Sequence, residues 1–233
     1  MDWKVGIICA CDRELEPFIP HISNRIISER AMLRLIEGNI GGVQVVAVYS
    51  GVCKVNAAIA SQILIDIYGV NAIINAGAAG GMDTRLDIFD TVVCTNTAYH
   101  DVDDEILTEY HPFMQSSFFS SDDLLLTISK EMIQKAESGH RVYWGRMVTG
   151  EQFIDHEKRE EINAAYAPLS VDMESASIAH VCYVNRIPFI AIRTITDTAD
   201  HSGVDNFDKN CGIASEIAKE ITLKLLDGIK NHR

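Results

Sequence analysis

Short apolar runs rich in β-branched residues alternate along this chain with longer stretches of helical spacing. Residues 3–10 (WKVGIICA) read as a buried strand, as do residues 70–75, 91–95, 142–148 and 187–195. Residues 37–50 give a hairpin, with IEGNI and VQVVAVYS joined by a Gly41-Gly42 turn. Residues 55–68 carry Ala57, Ile59, Ile63 and Ile67 on one expected inner side of a helix. Ser121-Asp-Asp predicts a helix start, with the helix running to about residue 137. Residues 172–183 predict a close-packing helix with Ala176, Ser177 and Ala179. Residues 209–229 predict a closing amphipathic helix with Ile213, Ile217, Ile221 and Leu225 facing inward and basic residues at its end.

Strands alternating with helices predict an α/β fold around a mixed, mainly parallel sheet. No linker, repeat or low-complexity tract interrupts residues 1–233, so one domain is expected. At 233 residues the chain can bury a large core unaided. The polar, aromatic stretch 100–121, with Tyr110, Pro112, Phe113, Phe118 and Phe119, reads as a lid or contact loop.

Charge narrows the partners. The balance of 33 acids against 20 bases gives −13, a surface that repels nucleic acid and anionic membranes and favours a small-molecule ligand. Six scattered cysteines form no CxxC pair, and they read as core residues of a reducing compartment. No apolar run reaches membrane-spanning length, and the first residues leave no room for a secretion signal, so a cytoplasmic protein is expected.

Four strand exits carry the chemistry: Cys11-Asp-Arg-Glu14, Ser50-Gly51, the glycine-rich loop expected at Gly77–Gly81, and Thr196-Asp197. Ligands of α/β proteins bind outside the carboxyl ends of the strands, so parallel neighbours would put these exits on one rim. Acids arriving there from different elements can divide bond cleavage, one donating a proton and one holding the attacking group. Each has a plainer reading as well. Glu14 could be a solvated loop residue, Glu174 a helix-start acid, and Asp197 a turn residue like Asp200. Phe153 and Met173 could be core. Tyr99-His100-Asp101 reads as a loop or interface contact rather than a metal site.

Seven ordered blocks then become familiar: GIICACDRELEPF, SGVCKVNAA, INAGAAGGM, YHDVD, TGEQFI, VDMESASIAHVC and IPFIAIRTITDTAD. Nearly end to end, the chain resembles the 5′-methylthioadenosine/S-adenosylhomocysteine nucleosidases of the nucleoside phosphorylase/nucleosidase superfamily. The resemblance implies a three-layer α/β/α sandwich, usually a homodimer, that hydrolyses the adenine–ribose bond without metal or organic cofactor. It implies Asp197 as the acid that protonates adenine N7, with a raised pKa. It implies Glu14 as the group that orients and deprotonates water, helped by Arg193, and Glu174 as the ribose-binding carboxylate. Met173 would pack on the sugar, Phe153 would stack on the base, and the Ile154 backbone would read its edge. Val52, Ala78, Gly80 and Thr196 would line the same site, with Leu107, Pro112 and Phe207 as apolar wall at the 5′ end.

Three residues depart from the family pattern. Ala78 stands where a serine usually touches the water. Asp172 replaces a glutamate and is expected to face away from the ligand. Asp104 replaces an apolar residue reaching the 5′ pocket from a neighbouring subunit, and a charge there would suit a more polar 5′ group. The rival readings are a phosphorylase, a nucleosidase for another 5′-modified nucleoside such as an aminofutalosine-like compound, and a non-catalytic nucleoside binder. A phosphorylase would need cations, for which Arg13 and Arg193 are candidates. Asn75 stands where such phosphorylases carry an arginine, and Glu14 would repel phosphate.

Overall fold

The computed structural model describes residues 2–134, 141–154, 156–198 and 204–232. In chain order the first elements are β1 (Lys4–Cys9), the single turn α1 (Asp12–Leu15), and a 3₁₀ segment over Glu16–His21. A meander follows, with β2 (Ser23–Arg30), β3 (Leu33–Ile40) and β4 (Val43–Tyr49). Then come α2 (Lys54–Asp66), β5 (Ala72–Gly81), β6 (Thr91–Tyr99), α3 (Asp104–Glu109), β7 (Phe119–Ser120) and α4 (Asp123–Gln134). The remainder is β8 (Val142–Thr149), α5 (His156–Tyr166), β9 (Ser170–Asp172), α6 (Ser175–Asn185), β10 (Phe189–Asp197) and α7 (Val204–Asn231).

Period-two alternation turns this order into three layers. Along β1, Val5, Ile7 and Cys9 join a core beneath α4 and α7 that includes Leu125, Ile221 and Leu225. Ile8 joins a second core on the opposite face with Ala57 and Leu64 of α2 and Ala176 of α6. At Gly6 the α2 helix comes so close that a Cβ would meet Leu64 at 3.0 Å. The fold is the mixed-sheet α/β/α sandwich.

Strands β4, β1, β5 and β10 run parallel as neighbours, so their carboxyl ends share one rim. Strand β10 also pairs antiparallel with β6, which continues parallel to β8 and β9, and β9 returns antiparallel to the end of β5. Strands β5, β10, β6, β8 and β9 therefore close on themselves beside that rim.

Several expectations need correction. Gly77–Gly81 is strand rather than loop, because β10 and β9 supply the ladder partners that glycine cannot specify alone. In α2 the inward face is Ala57, Ala60, Ser61 and Leu64, while Ile59 and Ile67 are exposed. Small residues let that helix sit close to α6 and leave its large apolar residues outside. Ile213 is likewise exposed, although Ile217, Ile221 and Leu225 are buried as expected. The 100–121 segment holds α3 and β7; Phe119 is buried, and Tyr110 and Phe113 are exposed. Helix α6 begins at Ser175 and α7 at Val204. The Gly41-Gly42 hairpin holds, with positive φ at both glycines. Residues 135–137, Asp200 and Arg233 lie outside the described residues.

Candidate active site

The shared rim opens on a cavity of about 290 Å³, sized for one small molecule. Its inner wall is a buried knot of charge. Glu14 sits in α1, just past β1, and its Oε2 accepts the Ala10 and Cys11 amides at 2.5 and 3.3 Å. Its Oε1 accepts the Ala78 amide of β5 at 2.7 Å. That approach needs glycine next door, since a Cβ on Gly77 would lie 2.3 Å from Oε1. Glu14 is thus a buried carboxylate held by three backbone donors, and not a solvated loop acid.

Arg193, in mid-β10 and fully buried, ties the knot. Its Nη2 donates to Glu174 at 2.6 Å and its Nε to Asp172 at 2.9 Å, with Nη1 3.5 Å from Glu14. Burial opposes its charge, but Asp172, Glu14 and Glu174 together raise its pKa. Glu174 occupies the residue before α6, yet its side chain caps nothing there. Its Oε1 instead accepts the Cys53 amide at 2.9 Å, across the cavity at the start of α2. Burial pushes Glu174 up to about 7; Arg193 opposes the shift, and Asp172 and Glu14 add to it.

The capping falls to Asp172, and here the structure corrects the sequence. Asp172 does not face away: it is buried, reaches the cavity wall, and accepts from Arg193. Its Oδ1 also accepts the Ser175 amide at 3.1 Å and the Thr149 hydroxyl at 2.6 Å. The shorter carboxylate brings its charge to Arg193 while serving the helix start, which frees Glu174 for the cavity. Ser175 also donates to Asp172 and receives the Asn75 amide at 2.8 Å.

The opposite end is sparse. Asp197 ends β10 just after a register shift against β5 at Gly80, a bulge that re-aims the last residues. The carboxylate accepts the Thr196 hydroxyl at 2.9 Å. Burial raises its pKa, opposed by the Thr196 hydrogen bond and the charge of Arg159, so the expected direction holds. Sequence reasoning missed Arg159 of α5, an almost wholly buried arginine on the same wall. Its only cue was a cation in the first turns of a helix too polar to announce itself.

Phe153, Ile154, Gly80 and Thr196 line this end. Phe153 is half-exposed, edge-on to Phe207 at 6.0 Å, with Arg13 over the Phe207 ring. Val52, Met173 and Ala78 complete the wall toward Glu174. Leu107 and Pro112 are not in it: Leu107 is packed in the core under α6. Asp104 faces a separate hollow with His100, Asp101 and Tyr166. Asp101 binds Lys54 at 2.9 Å, and no metal-sized group of His, Cys, Asp or Glu occurs among the described residues.

Chemically, the cavity pairs an end whose carboxylates are held in place by Arg193 and backbone amides with a sparsely bonded end that can carry a proton. The knot can hold water against Glu14 and set negative charge near a developing cation. Asp197 can deliver a proton some distance away.

Comparison with known proteins places this geometry. Residues 4–227 match the model of the Phosphorylase superfamily. A 5′-methylthioadenosine/S-adenosylhomocysteine nucleosidase from an Exiguobacterium species is 36% identical over 217 residues, covering 91% of this chain and 92% of its own. The crystal structure of the 5′-methylthioadenosine/S-adenosylhomocysteine nucleosidase of Colwellia psychrerythraea 34H, in complex with adenine, is 29% identical. It has a TM-score of 0.89 over 98% of this chain and 96% of that one. The futalosine hydrolase of Helicobacter pylori is 25% identical, with a TM-score of 0.87 over 97% and 98%. The chain belongs to the phosphorylase superfamily and, within it, to the family of the 5′-methylthioadenosine/S-adenosylhomocysteine nucleosidases.

Proposed function

We propose that this protein hydrolyses the N-glycosidic bond of 5′-methylthioadenosine, S-adenosylhomocysteine or a related 5′-substituted adenine nucleoside, and that residues 1–233 act as one catalytic domain. The observation that carries the reading is the meeting of Glu14, Glu174 and Asp197, far apart in sequence, around one cavity with Arg193 between the first two. Asp197 protonates purine N7 as the C1′–N9 electron pair withdraws into the base. Glu174 steadies the cationic sugar, and Glu14 takes a proton from the water that bonds to C1′. Phe153 and Ile154 hold the base and Met173 the ribose.

Water is favoured over phosphate on electrostatic grounds. Arg193 is engaged by three carboxylates, and Arg13 by Asp208 at 2.8 Å, so an anion near Glu14 would meet net negative charge. Incubating a panel of nucleosides without phosphate and quantifying free base by chromatography tests the reading. Adenine release supports it, and release only on adding phosphate sinks it.

A homodimer supplies the 5′ end of the site. Val55 and Ile59 of α2, Tyr183 and Val184 of α6, and Tyr110 and Phe113 after α3 are large exposed apolar residues. A second copy packed there would bring its own Pro112 and Asp104 toward the cavity mouth, and the acid would favour a polar 5′ group. Among the described residues no helix is long and apolar enough to cross a membrane, which suits the proposed cytoplasmic location and small-molecule partner.

A further inference from the structure

The Tyr99-His100-Asp101 stretch, unused by the proposed reaction, meets the start of α2 through a ring of hydrogen bonds. Asp101 follows β6, and its two oxygens accept the Lys54 ammonium at 2.9 and 3.0 Å. Its Oδ2 also accepts the amide of Glu151, just past β8, at 3.0 Å. The Glu151 Oε1 accepts the Lys54 amide at 3.0 Å, which closes the ring through three segments. From α6 the Ser177 hydroxyl donates to the Lys54 carbonyl at 2.7 Å. Lys54 is thereby held at its ammonium, its amide and its carbonyl.

Cys53, the residue before it, is what such holding serves. Its φ of 82° and ψ of 162° fall in a region that glycine alone adopts easily, and another residue stays there only when its surroundings impose it. Its amide is the one that Glu174 accepts at 2.9 Å. Relaxing φ at Cys53 would turn that amide off the carboxylate. Asp101, Lys54 and Glu151 lie outside the cavity wall, so they reach Glu174 only through this turn.

We propose that Asp101 is a positioning residue: through Lys54 and Glu151 it holds the strained Cys53 turn and keeps the Cys53 amide on Glu174. This rests on the nucleosidase reading, which gives Glu174 its task at the ribose. Glu174 is faced by Arg193 from β10, Asp172 from β9, Glu14 from α1 and the Cys53 amide from α2. Burial, Asp172 and Glu14 favour its neutral form, while Arg193 and the amide favour its ionised one. Losing the amide therefore raises the pH at which Glu174 takes up a proton.

The test measures adenine release from 5′-methylthioadenosine without phosphate, as kcat against pH. In the natural protein kcat should fall as acid protonates Glu174. Asp101→Asn should move the midpoint of that fall upward by about one pH unit, the equivalent of about a tenfold weaker hold on the ionised form. Cys53→Gly in the Asp101→Asn background should return the midpoint to its natural place, because glycine adopts the turn unaided. Lys54→Met leaves Asp101 on the Glu151 amide and should move the midpoint the same way as Asp101→Asn, which decides the matter if that variant fails to fold. A loss of stability alone lowers the amount of active protein without moving the midpoint. A midpoint that stays in place in the folded single variants, or stays displaced in the folded double variant, overturns the proposal and spares the nucleosidase reading. Absence of adenine release by the natural protein overturns both.

Discussion

The two ends of the cavity solve opposite electrostatic problems. At the inner end three carboxylates share one buried arginine and a set of backbone amides, so every carboxylate oxygen has at least one donor. At the outer end Asp197 has one hydroxyl donor, and Arg159 keeps an unpaired nitrogen. A cluster held by so many donors fixes its geometry before substrate arrives. An under-partnered acid is free to change protonation, and burial holds its proton nearer neutral pH. The difference is a division of labour: one end holds its carboxylates in a fixed geometry around Arg193, and the other leaves Asp197 free to give up its proton.

Breaking the saturated end should therefore cost the fold, and breaking the sparse end only the reaction. Arg193→Met leaves Glu14, Asp172 and Glu174 buried without their cation and should remove about 3–5 kcal/mol of stability. Urea or thermal unfolding measures this; a melting temperature near that of the natural protein would show the knot is not the structural centre it looks to be.

At the other end, Asp197→Asn should leave the fold intact and lower kcat by roughly 100- to 10,000-fold. The same substitution should abolish the loss of activity at high pH, because asparagine has no proton to lose. An unchanged pH profile would remove Asp197 as the acid. Glu174 gives the complementary limb. With a pKa of about 7 it takes up a proton as pH falls, so kcat should decline below about pH 7, and Glu174→Gln should remove that limb along with most activity. Stability runs the other way. A carboxyl raised in the native state holds its proton longer than in the unfolded chain, so its contribution is full below the unfolded value and is lost as pH rises toward 7. Unfolding midpoints at pH 5 and pH 8 should differ less in Glu174→Gln than in the natural protein.

How much of this was legible in sequence follows from the same contrast. Strands buried on both faces announce themselves as continuous apolar runs, so β1, β5, β6 and β10 were readable. Strand β2 was not, since it is an edge with Ile26 and Ile27 exposed and no alternation. Helix α5 is polar, with Arg159 and Ile162 its buried side chains among the described residues, so no apolar stripe marks it. The acids at strand ends could be singled out because strand and exit are adjacent in sequence. Asp172 could not be read correctly, because its partner Arg193 lies 21 residues away on another strand. Arg159 has the same difficulty: only the fold brings Gly81 and the Asp197 wall to it.

Asp172→Asn probes a residue that acts through others. Its loss of charge should let Arg193 shift toward Glu14 and Glu174, lowering kcat by about tenfold with KM little changed, while Asp172→Glu should recover most of the loss. A KM effect alone would mean the side chain touches substrate instead of positioning Arg193.

The smallest expected effect tests where the water sits. Ala78 is buried on the cavity wall, and its amide already fixes Glu14 at 2.7 Å. Ala78→Ser adds a hydroxyl beside that carboxylate at a buried position, so stability should fall by no more than about 1 kcal/mol. A single neutral hydrogen bond contributes about 0.5–1.5 kcal/mol, so a well-placed hydroxyl should raise kcat by roughly two- to tenfold. The gain should appear at all pH values, because neither Glu174 nor Asp197 is touched. If kcat falls instead, the hydroxyl is competing with water for Glu14, and the attacking oxygen must approach from the Glu174 side of the knot rather than from β5.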